Sequence, residues 1–157
     1  MRKKTGDVVE FSLPDGGFAY AKILKSPLVA FYDCITAERV PLADVTSAKT
    51  AFSVWVMDEA VNSKAWKKIG TTALTEDDLR ERLFFSRDMI SKDYVLHDDF
   101  GTAPASKEDC IGLEVAAIWS KKQIEERLSH HRRGESSPIL RRHQEMLSEH
   151  WDFPSRK

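Results

Sequence analysis

Histidine and cysteine are the residue types in this sequence best suited to metal binding or nucleophilic catalysis. His143 and His150 are spaced so that both would lie on one face of a helix, and a metal ion between them can be imagined. A tetrahedral zinc site needs four well-spaced Cys or His ligands, and neither Cys34 nor Cys110 is near these histidines in sequence. We therefore predict no metal site, and histidines that are exposed or at the edge of the core.

Other reactive groups in the sequence also have simpler interpretations. Cys34 follows Asp33 and has no cationic neighbour in sequence that would lower its pKa, so we predict a structural thiol. The adjacent carboxylates Asp77-Asp78 and Asp98-Asp99 could act as general acid and base. Without a partnering histidine nearby in sequence, we interpret them as helix-cap and loop residues.

Common catalytic motifs are absent from the sequence. It contains no glycine-rich phosphate loop, no G-x-S-x-G elbow and no H-E-x-x-H pair. We therefore predict that the protein is not an enzyme and uses no cofactor. A catalytic site would have to assemble in three dimensions, for example as a pocket that joins His97 to Asp33 or Asp99.

Charge is unevenly distributed along the chain, although the formal net charge is only -1. Acidic residues outnumber basic ones from Glu76 to Asp99, and basic residues outnumber acidic ones from Lys121 onward. The simpler interpretation is that these acidic and basic stretches are ordinary protein surface in contact with solvent. The alternative is an acidic surface that attracts a basic partner and speeds its approach.

The basic C-terminal part contains two arginine pairs that could contact phosphates, Arg132-Arg133 and Arg141-Arg142. They alternate with Glu135, Glu145 and Glu149, and no aromatic residues are interleaved with them. We interpret this part as a helical face with ion pairs, and we do not expect it to bind nucleic acid.

The elements that must position these groups begin with strands. Alternating apolar residues predict strands at Val9–Leu13 and Phe18–Leu24, joined by the turn Pro14–Gly17, and a third strand at Leu28–Cys34. Together they predict an antiparallel meander. The later predicted strands are Phe52–Met57, which should lie in the interior of the sheet, Trp66–Ile69, Leu83–Phe85, Tyr94–Leu96 as a hairpin partner, and Leu113–Trp119.

Connections and helices complete the prediction. We interpret Pro41–Val45 as a connector and Gly101–Lys107 as an ordered loop. Thr75 should begin a short helix. Ser120 with Gln123 forms a capping box for a helix that ends near Gly134, and Ser137-Pro138 begins another. Trp151 and Phe153 could fold back on the body.

Strands first and helices last predict an α+β fold. We expect an N-terminal antiparallel twisted β-sheet, a meander that could close toward a barrel, with C-terminal helices packed on or beside it. We assign residues 1–134 to the main domain and 135–157 to a C-terminal helical extension. Two well-separated cysteines suit a reducing compartment, and we find no signal peptide or transmembrane segment, so we expect a cytoplasmic protein.

A series of short motifs runs along much of the chain. It includes Gly6-Asp7-Val8, Leu13–Gly16 followed by Phe18–Ala21, and Phe31–Asp33. It continues in Phe52–Val56, Trp66…Ile69-Gly70, Gly112–Glu114 and Ala116–Trp119. In this order and spacing the motifs resemble the immunity protein 26 family of bacterial polymorphic toxin systems. The resemblance implies an inhibitor that binds a cognate toxin stoichiometrically, without catalysis or cofactor.

The resemblance supplies no interface residues, so the partner-binding candidates come from residue type and charge. They are Trp66, Glu76, Asp77, Asp78, Asp98 and Asp99. A toxin that cuts nucleic acid must present a basic cleft, which an acidic inhibitor surface would suit. Tryptophan often anchors interfaces, but packing of Trp66 on the sheet is the simpler expectation.

An alternative function is a small, barrel-like adaptor module that binds peptide or nucleic acid. It would need a shallow aromatic groove around Tyr20 and Tyr32. The exposure of these two rings therefore distinguishes an adaptor from a toxin inhibitor.

Overall fold

The computed structural model describes residues 2–147 and divides the chain into two compact units. Among these residues, unit 1 comprises those up to Leu79 together with Ala117–Glu135, and unit 2 comprises Arg80–Ala116 and those from Ser136 onward. Unit 1 is therefore discontinuous in sequence. The domain boundary assigned at residue 134 stays a prediction.

Ten strands and six helices are present among the described residues. In chain order they are β1 (Asp7–Ser12), β2 (Phe18–Ile23), β3 (Leu28–Tyr32), α1 (Leu42–Thr46), β4 (Thr50–Val56), α2 (Asp58–Val61), β5 (Lys67–Thr71), α3 (Glu76–Leu79), β6 (Phe84–Arg87), β7 (Tyr94–His97), β8 (Thr102–Ala105), α4 (Lys107–Cys110), β9 (Glu114–Val115), β10 (Ile118–Trp119), α5 (Lys121–Arg132) and α6 (Pro138–Glu145). The predicted α+β class is confirmed.

Unit 1 is built on a six-stranded sheet, sheet A, with the order β10-β4-β3-β2-β1-β5. The pairs within β1–β5 are antiparallel, and the predicted meander of the first three strands is confirmed. The two-residue strand β10 adds in parallel to β4, which makes β4 an interior strand as expected. Sheet A ends at β10 and β5 and does not close into a barrel.

Alternation along the strands of sheet A produces two apolar faces. One buries Val8, Tyr20 and Tyr32 together with Val45 of α1. On the other, Phe11 and Phe31 pack among aromatic rings. The residues of α5 that are fully buried, Ile124 and Leu128, place this helix in the core of unit 1. Because both faces are covered, nearly every residue of β1, β2 and β3 is buried, whichever face it lies on.

Unit 2 contains a four-stranded sheet, sheet B, with the order β8-β7-β6-β9. The predicted hairpin of Leu83–Phe85 with Tyr94–Leu96 is confirmed as β6 and β7. The loop predicted at Gly101–Lys107 is corrected, because Thr102–Ala105 forms β8 against β7. Pairing with a neighbouring strand outweighs its weak local propensity, and Pro104 is tolerated because β8 is an edge strand.

Two further predictions are corrected. The connector at Pro41–Val45 contains the short helix α1, in which the Pro41 carbonyl accepts from the amides of Asp44 and Val45. The strand predicted at Leu113–Trp119 is divided into β9, which pairs with β6, and β10, which pairs with β4. Weak alternation in this stretch reflects two separate pairings rather than one.

The predicted C-terminal helices are confirmed. Ser120 Oγ accepts from the amide of Gln123 at 3.2 Å, and the Gln123 side chain accepts from the amide of Ser120 at 3.0 Å, which completes the capping box of α5. Gly134 follows α5 with φ +74°, the conformation expected of a glycine stop. Ser137 caps α6 through the amide of Leu140.

Trp151 and Phe153 lie outside the described residues. Among the residues described, no helix combines the length and apolar character needed to span a bilayer.

Candidate functional site

Trp66, the first of the predicted interface residues, lies in the core of unit 1. Its exposed fraction is 0%. The indole stacks on Phe11 with ring centroids 4.4 Å apart and meets Phe31 edge to face at 6.0 Å. Packing on the sheet, which was the simpler expectation, accounts for this residue.

The helix α3 carries the acidic group Glu76, Asp77 and Asp78 in unit 1. Thr75 begins it as predicted, because Thr75 Oγ1 accepts from the Asp78 amide at 3.1 Å and Asp78 Oδ2 accepts from the Thr75 amide at 2.9 Å. Carboxylates in the first turn are stabilised by the helix dipole. Glu76 and Asp77 are exposed, whereas Asp78 is buried.

Asp78 is buried because it forms an ion pair with Lys22 of β2. Burial alone would raise the pKa of Asp78, but hydrogen bonds from Lys22 and from the Thr75 amide outweigh that effect and hold the pKa below its usual value. This carboxylate therefore ties α3 to sheet A. It is not accessible to a partner.

The second acidic pair lies in unit 2, at the turn between β7 and β8. We name Asp98–Gly101 the acidic turn. Asp98 Oδ1 accepts from the amides of Phe100 at 2.7 Å and Gly101 at 2.8 Å, and the Asp98 amide donates to the Gly101 carbonyl at 3.0 Å. Gly101 has φ +153°, which side-chain-bearing residues rarely adopt. One carboxylate thus fixes the shape of the turn.

Phe100 is held at the tip of the acidic turn with an exposed fraction of 89%. The neighbouring Asp99 is exposed as well. Protein interfaces commonly combine an apolar side chain that is buried on binding with charged residues around it. The exposed Phe100 ring beside carboxylates has this combination. Phe100 was not among the residues that the sequence analysis singled out. Its place in the four-residue run Asp-Asp-Phe-Gly is the signal that could have identified it.

Nucleophile–base contacts are also present. In unit 2, Ser86 Oγ and His97 Nε2 are 2.8 Å apart across the β6–β7 pair. In unit 1, Asp33 Oδ1 lies 3.1 Å from His131 Nε2. A catalytic serine needs an orienting group and oxyanion donors in addition to a base. We interpret the Ser86–His97 contact as a cross-strand hydrogen bond.

Metal binding finds no support among residues 2–147, where no group of three or more His, Cys, Asp or Glu side chains could hold an ion. His143, one of the two histidines considered for a metal, lies on α6, and His150 is outside the described residues. Cys34 and Cys110 are free thiols, and burial raises the pKa of each. A raised pKa keeps a thiol protonated and weakly nucleophilic.

The aromatic groove that an adaptor module would need is not exposed. Tyr20 has an exposed fraction of 0% and Tyr32 of 5%. The Tyr20 hydroxyl donates to Glu10 at 2.9 Å and accepts from the Val40 amide at 3.1 Å. Both rings belong to the core cluster beneath α1.

Comparison with known proteins adds one match. A family model described as Immunity protein 26 matches residues 4–96, which run from ahead of β1 into β7. The acidic turn begins shortly after the matched segment. No curated protein and no solved structure matches the chain.

Proposed function

The chain belongs to the immunity protein 26 family, whose model covers more than half of it, and we propose that it neutralises a cognate bacterial toxin by forming a stoichiometric complex. The family match is the observation that carries this proposal, and it confirms the resemblance found in the sequence. The proposed partner is a protein. No chemical step by this chain is required.

The acidic turn is the surface that we propose contacts the toxin first. Phe100 offers an apolar ring that loses contact with water on binding, while Asp99 contributes an unburied charge beside it. Burial of one aromatic side chain at an interface can stabilise a complex by about 2 kcal/mol or more. The carboxylates favour a toxin with a basic surface, as the clefts of nucleic-acid-cutting enzymes have.

The exposed carboxylates of α3 are a second, weaker candidate within unit 1. Glu76 and Asp77 are exposed, and Leu79 at the end of the helix has an exposed fraction of 70%. These residues repeat the acidic and apolar character of the turn. Trp66 and Asp78 are left out of the proposed interface, because a partner could reach them only if the core opened.

A reducing cytoplasm is the proposed location. Cys34 and Cys110 are both free, and a toxin inhibitor that protects its producer from within must be present where the toxin would act.

Co-expression with the product of the adjacent upstream gene tests the proposal. Cells that carry the candidate toxin alone should stop growing, and cells that also carry this chain should grow. The two proteins should co-elute in a one-to-one complex. If this chain fails to restore growth or to bind a neighbour that is demonstrably toxic, the proposal is wrong.

A matched pair of variants identifies the surface in the same experiment. Phe100→Asp should abolish rescue, because it replaces the apolar anchor by a third carboxylate. Ile90→Asp changes a comparably exposed apolar residue in the β6–β7 turn, at the opposite end of sheet B, and should leave rescue intact. Equal loss of rescue in both variants would remove the acidic turn from the proposal.

A further inference from the structure

A basic cleft lies in unit 1, between the N-terminal segment and the connection from α2 to β5. Its volume is about 390 Å³. It is lined by Arg2, Lys3, Lys4, Asp7, Asn62, Ser63, Lys64, Trp66, Lys67 and Lys68. We name these residues the basic cleft. Small-ligand sites in proteins have volumes of about 300–1,000 Å³, so the cleft is at the small end of that range.

Specific hydrogen bonds hold the N-terminal segment in place and give the cleft its shape. The Arg2 guanidinium donates to both carboxylate oxygens of Asp58 at 2.9 Å. The Lys3 amide donates to Asn62 Oδ1 at 2.8 Å, and Lys3 Nζ donates to the Ser63 carbonyl at 3.1 Å. Hydrogen bonds therefore connect the two walls of the cleft, the N-terminal segment and the connection from α2 to β5.

Among the residues described, Asp7 is the one carboxylate that lines the cleft, and it already has partners. Asp7 has an exposed fraction of 3%, and its two oxygens accept from the Lys4 amide at 2.8 Å and contact Lys68 Nζ at 3.3 Å. Lys4, Lys64 and Lys67 are exposed, and none of the described carboxylates lies within ion-pairing distance of them. The cleft thus has an excess of positive charge.

Two further groups are incompletely satisfied. Lys3 Nζ faces a neutral carbonyl, and its burial lowers its pKa, an effect that Asp7 only partly offsets. The Trp66 indole Nε1 is buried and has no hydrogen-bond partner in the part of the chain described. An anion with several acceptor oxygens would stabilise the charged form of Lys3.

We propose that the basic cleft binds a small ligand that carries two or more phosphate groups. Each phosphate brings about -1.5 to -2 charges at pH 7 and several acceptor oxygens, so two of them match the unpaired ammonium groups within this small volume. A ligand that carries carboxylates instead of phosphates would have to be larger to bring the same negative charge. Lysine ammonium groups bind phosphate as point charges without a fixed bonding plane. This ligand is separate from the proposed toxin, and its binding does not depend on it.

Calorimetric titration of the full chain with inorganic pyrophosphate at low salt tests the proposal. Pyrophosphate should bind one site. The double variant Lys64→Glu, Lys67→Glu should weaken it by about tenfold or more, because two attractive charges become repulsive. The control variant Lys49→Glu, Lys122→Glu changes the net charge equally at two exposed positions outside the cleft, one just before β4 and one on α5. It should bind within about twofold of the unchanged chain.

NMR titration of the lysine side chains adds a readout that general charge attraction would not produce. Bound pyrophosphate should raise the pKa of Lys3, and the Trp66 indole N–H signal should shift while that of Trp55 stays in place. Absence of pyrophosphate binding, or equal weakening in the control variant, would overturn the proposal. So would equally tight binding of citrate, which would indicate a carboxylate ligand, or stronger competition by a single-stranded oligonucleotide, which would indicate nucleic acid.

Discussion

Asp98 accepts a hydrogen bond from the amide of Phe100 at 2.7 Å, and this bond helps to hold an aromatic ring in water. The carboxylate therefore contributes in two ways, as the residue that shapes the acidic turn and as part of its charge. Asp99 is exposed beside it. The contributions of Asp98, Asp99 and Phe100 can therefore be distinguished by mutating each residue in turn.

Phe100→Ala should weaken the complex with the toxin by about 2 kcal/mol, or roughly thirtyfold in Kd, because it removes the apolar anchor of the proposed interface. The free energy of unfolding should change by less than about 0.5 kcal/mol, since the ring is exposed. Biolayer interferometry and urea unfolding measure the two quantities. Ile90→Ala is the control, and an unchanged Kd for Phe100→Ala would contradict the prediction.

Asp99→Lys should slow association more than it speeds dissociation, because an exposed charge at the edge of an interface acts mainly by attraction over distance. The effect should be a few-fold at low salt and should shrink as salt is added, since ions screen exposed charges. Stopped-flow association rates at two salt concentrations provide the measurement. A rate that is independent of salt would show that Asp99 lies away from the partner.

Asp78→Ala should lower the free energy of unfolding by about 3–5 kcal/mol, because it leaves the buried Lys22 ammonium without its counter-charge. Adding Lys22→Met should recover part of this loss, since no isolated charge then remains. Glu76→Ala, in the same helix but exposed, should cost less than about 1 kcal/mol. Urea unfolding of the three variants and the unchanged chain gives the comparison, and a double variant less stable than Asp78→Ala would contradict the argument.

The same ion pair predicts the acid behaviour of unit 1. The pKa of Asp78 is lowered in the folded chain, so its ionised form adds stability that is fully present above the unfolded pKa of about 3.9. That stability is lost as pH falls through the lower, folded pKa. Asp78→Asn should flatten the decrease in unfolding free energy below about pH 4.

The ionisation of Tyr32 changes stability with pH in the direction opposite to that of Asp78. Burial, with the nearby Asp78 charge, raises the pKa of Tyr32 to about 12, and its hydroxyl has no hydrogen-bond partner among residues 2–147. The folded state keeps this phenol neutral, so its contribution is present below the unfolded pKa of about 10 and is lost as pH rises toward 12. Tyr32→Phe should therefore reduce alkaline unfolding.

At neutral pH, Tyr32→Phe should be neutral or slightly stabilising, because it removes a buried donor that makes no hydrogen bond. Thermal unfolding followed by circular dichroism at pH 7 and at pH 11 tests both expectations. Tyr20→Phe is the informative control, since the Tyr20 hydroxyl is hydrogen-bonded to Glu10 and its removal should destabilise the chain by about 1 kcal/mol. Equal behaviour of the two variants would contradict this reading.

Cys34 and Cys110 should react slowly with a thiol reagent at pH 7, because burial raises the pKa of both and keeps them protonated. Cys110 should be the slower, since it is fully buried and Cys34 is only half-buried. Mass spectrometry after timed alkylation distinguishes the two sites. Rapid modification of the native chain would contradict the prediction, and modification after denaturation provides the reference rate.

Local pattern was sufficient to predict much of this fold. Alternation predicted the meander and the β6–β7 hairpin, and capping residues predicted both ends of α5. The strand β8 could not be predicted in this way, because it depends on register with β7 and contains a proline. The division of Leu113–Trp119 between two sheets is likewise decided by distant partners.

The candidate site shows the same contrast between what local sequence predicts and what distant partners decide. Sequence charge identified Asp98 and Asp99, which are exposed, but it grouped them with Asp78, whose partner Lys22 is 56 positions away. Burial of that kind depends on tertiary pairing. Phe100 was missed for the reverse reason, since nothing in its residue type indicates that a turn would hold it in water.

Because unit 1 is discontinuous in sequence, it cannot finish folding until a later segment of the chain has been synthesised. Arg127 of α5 lies over the Phe52 ring at 3.6 Å and near Trp119 at 5.0 Å, and Ile124 and Leu128 are fully buried. A ribosome-bound chain that ends before α5 would leave this apolar face of sheet A open. Unit 1 therefore reaches its final packing only after all of Arg80–Ala116 and α5 have been synthesised. Until then, the nascent chain is more exposed to proteases and to aggregation than the folded unit.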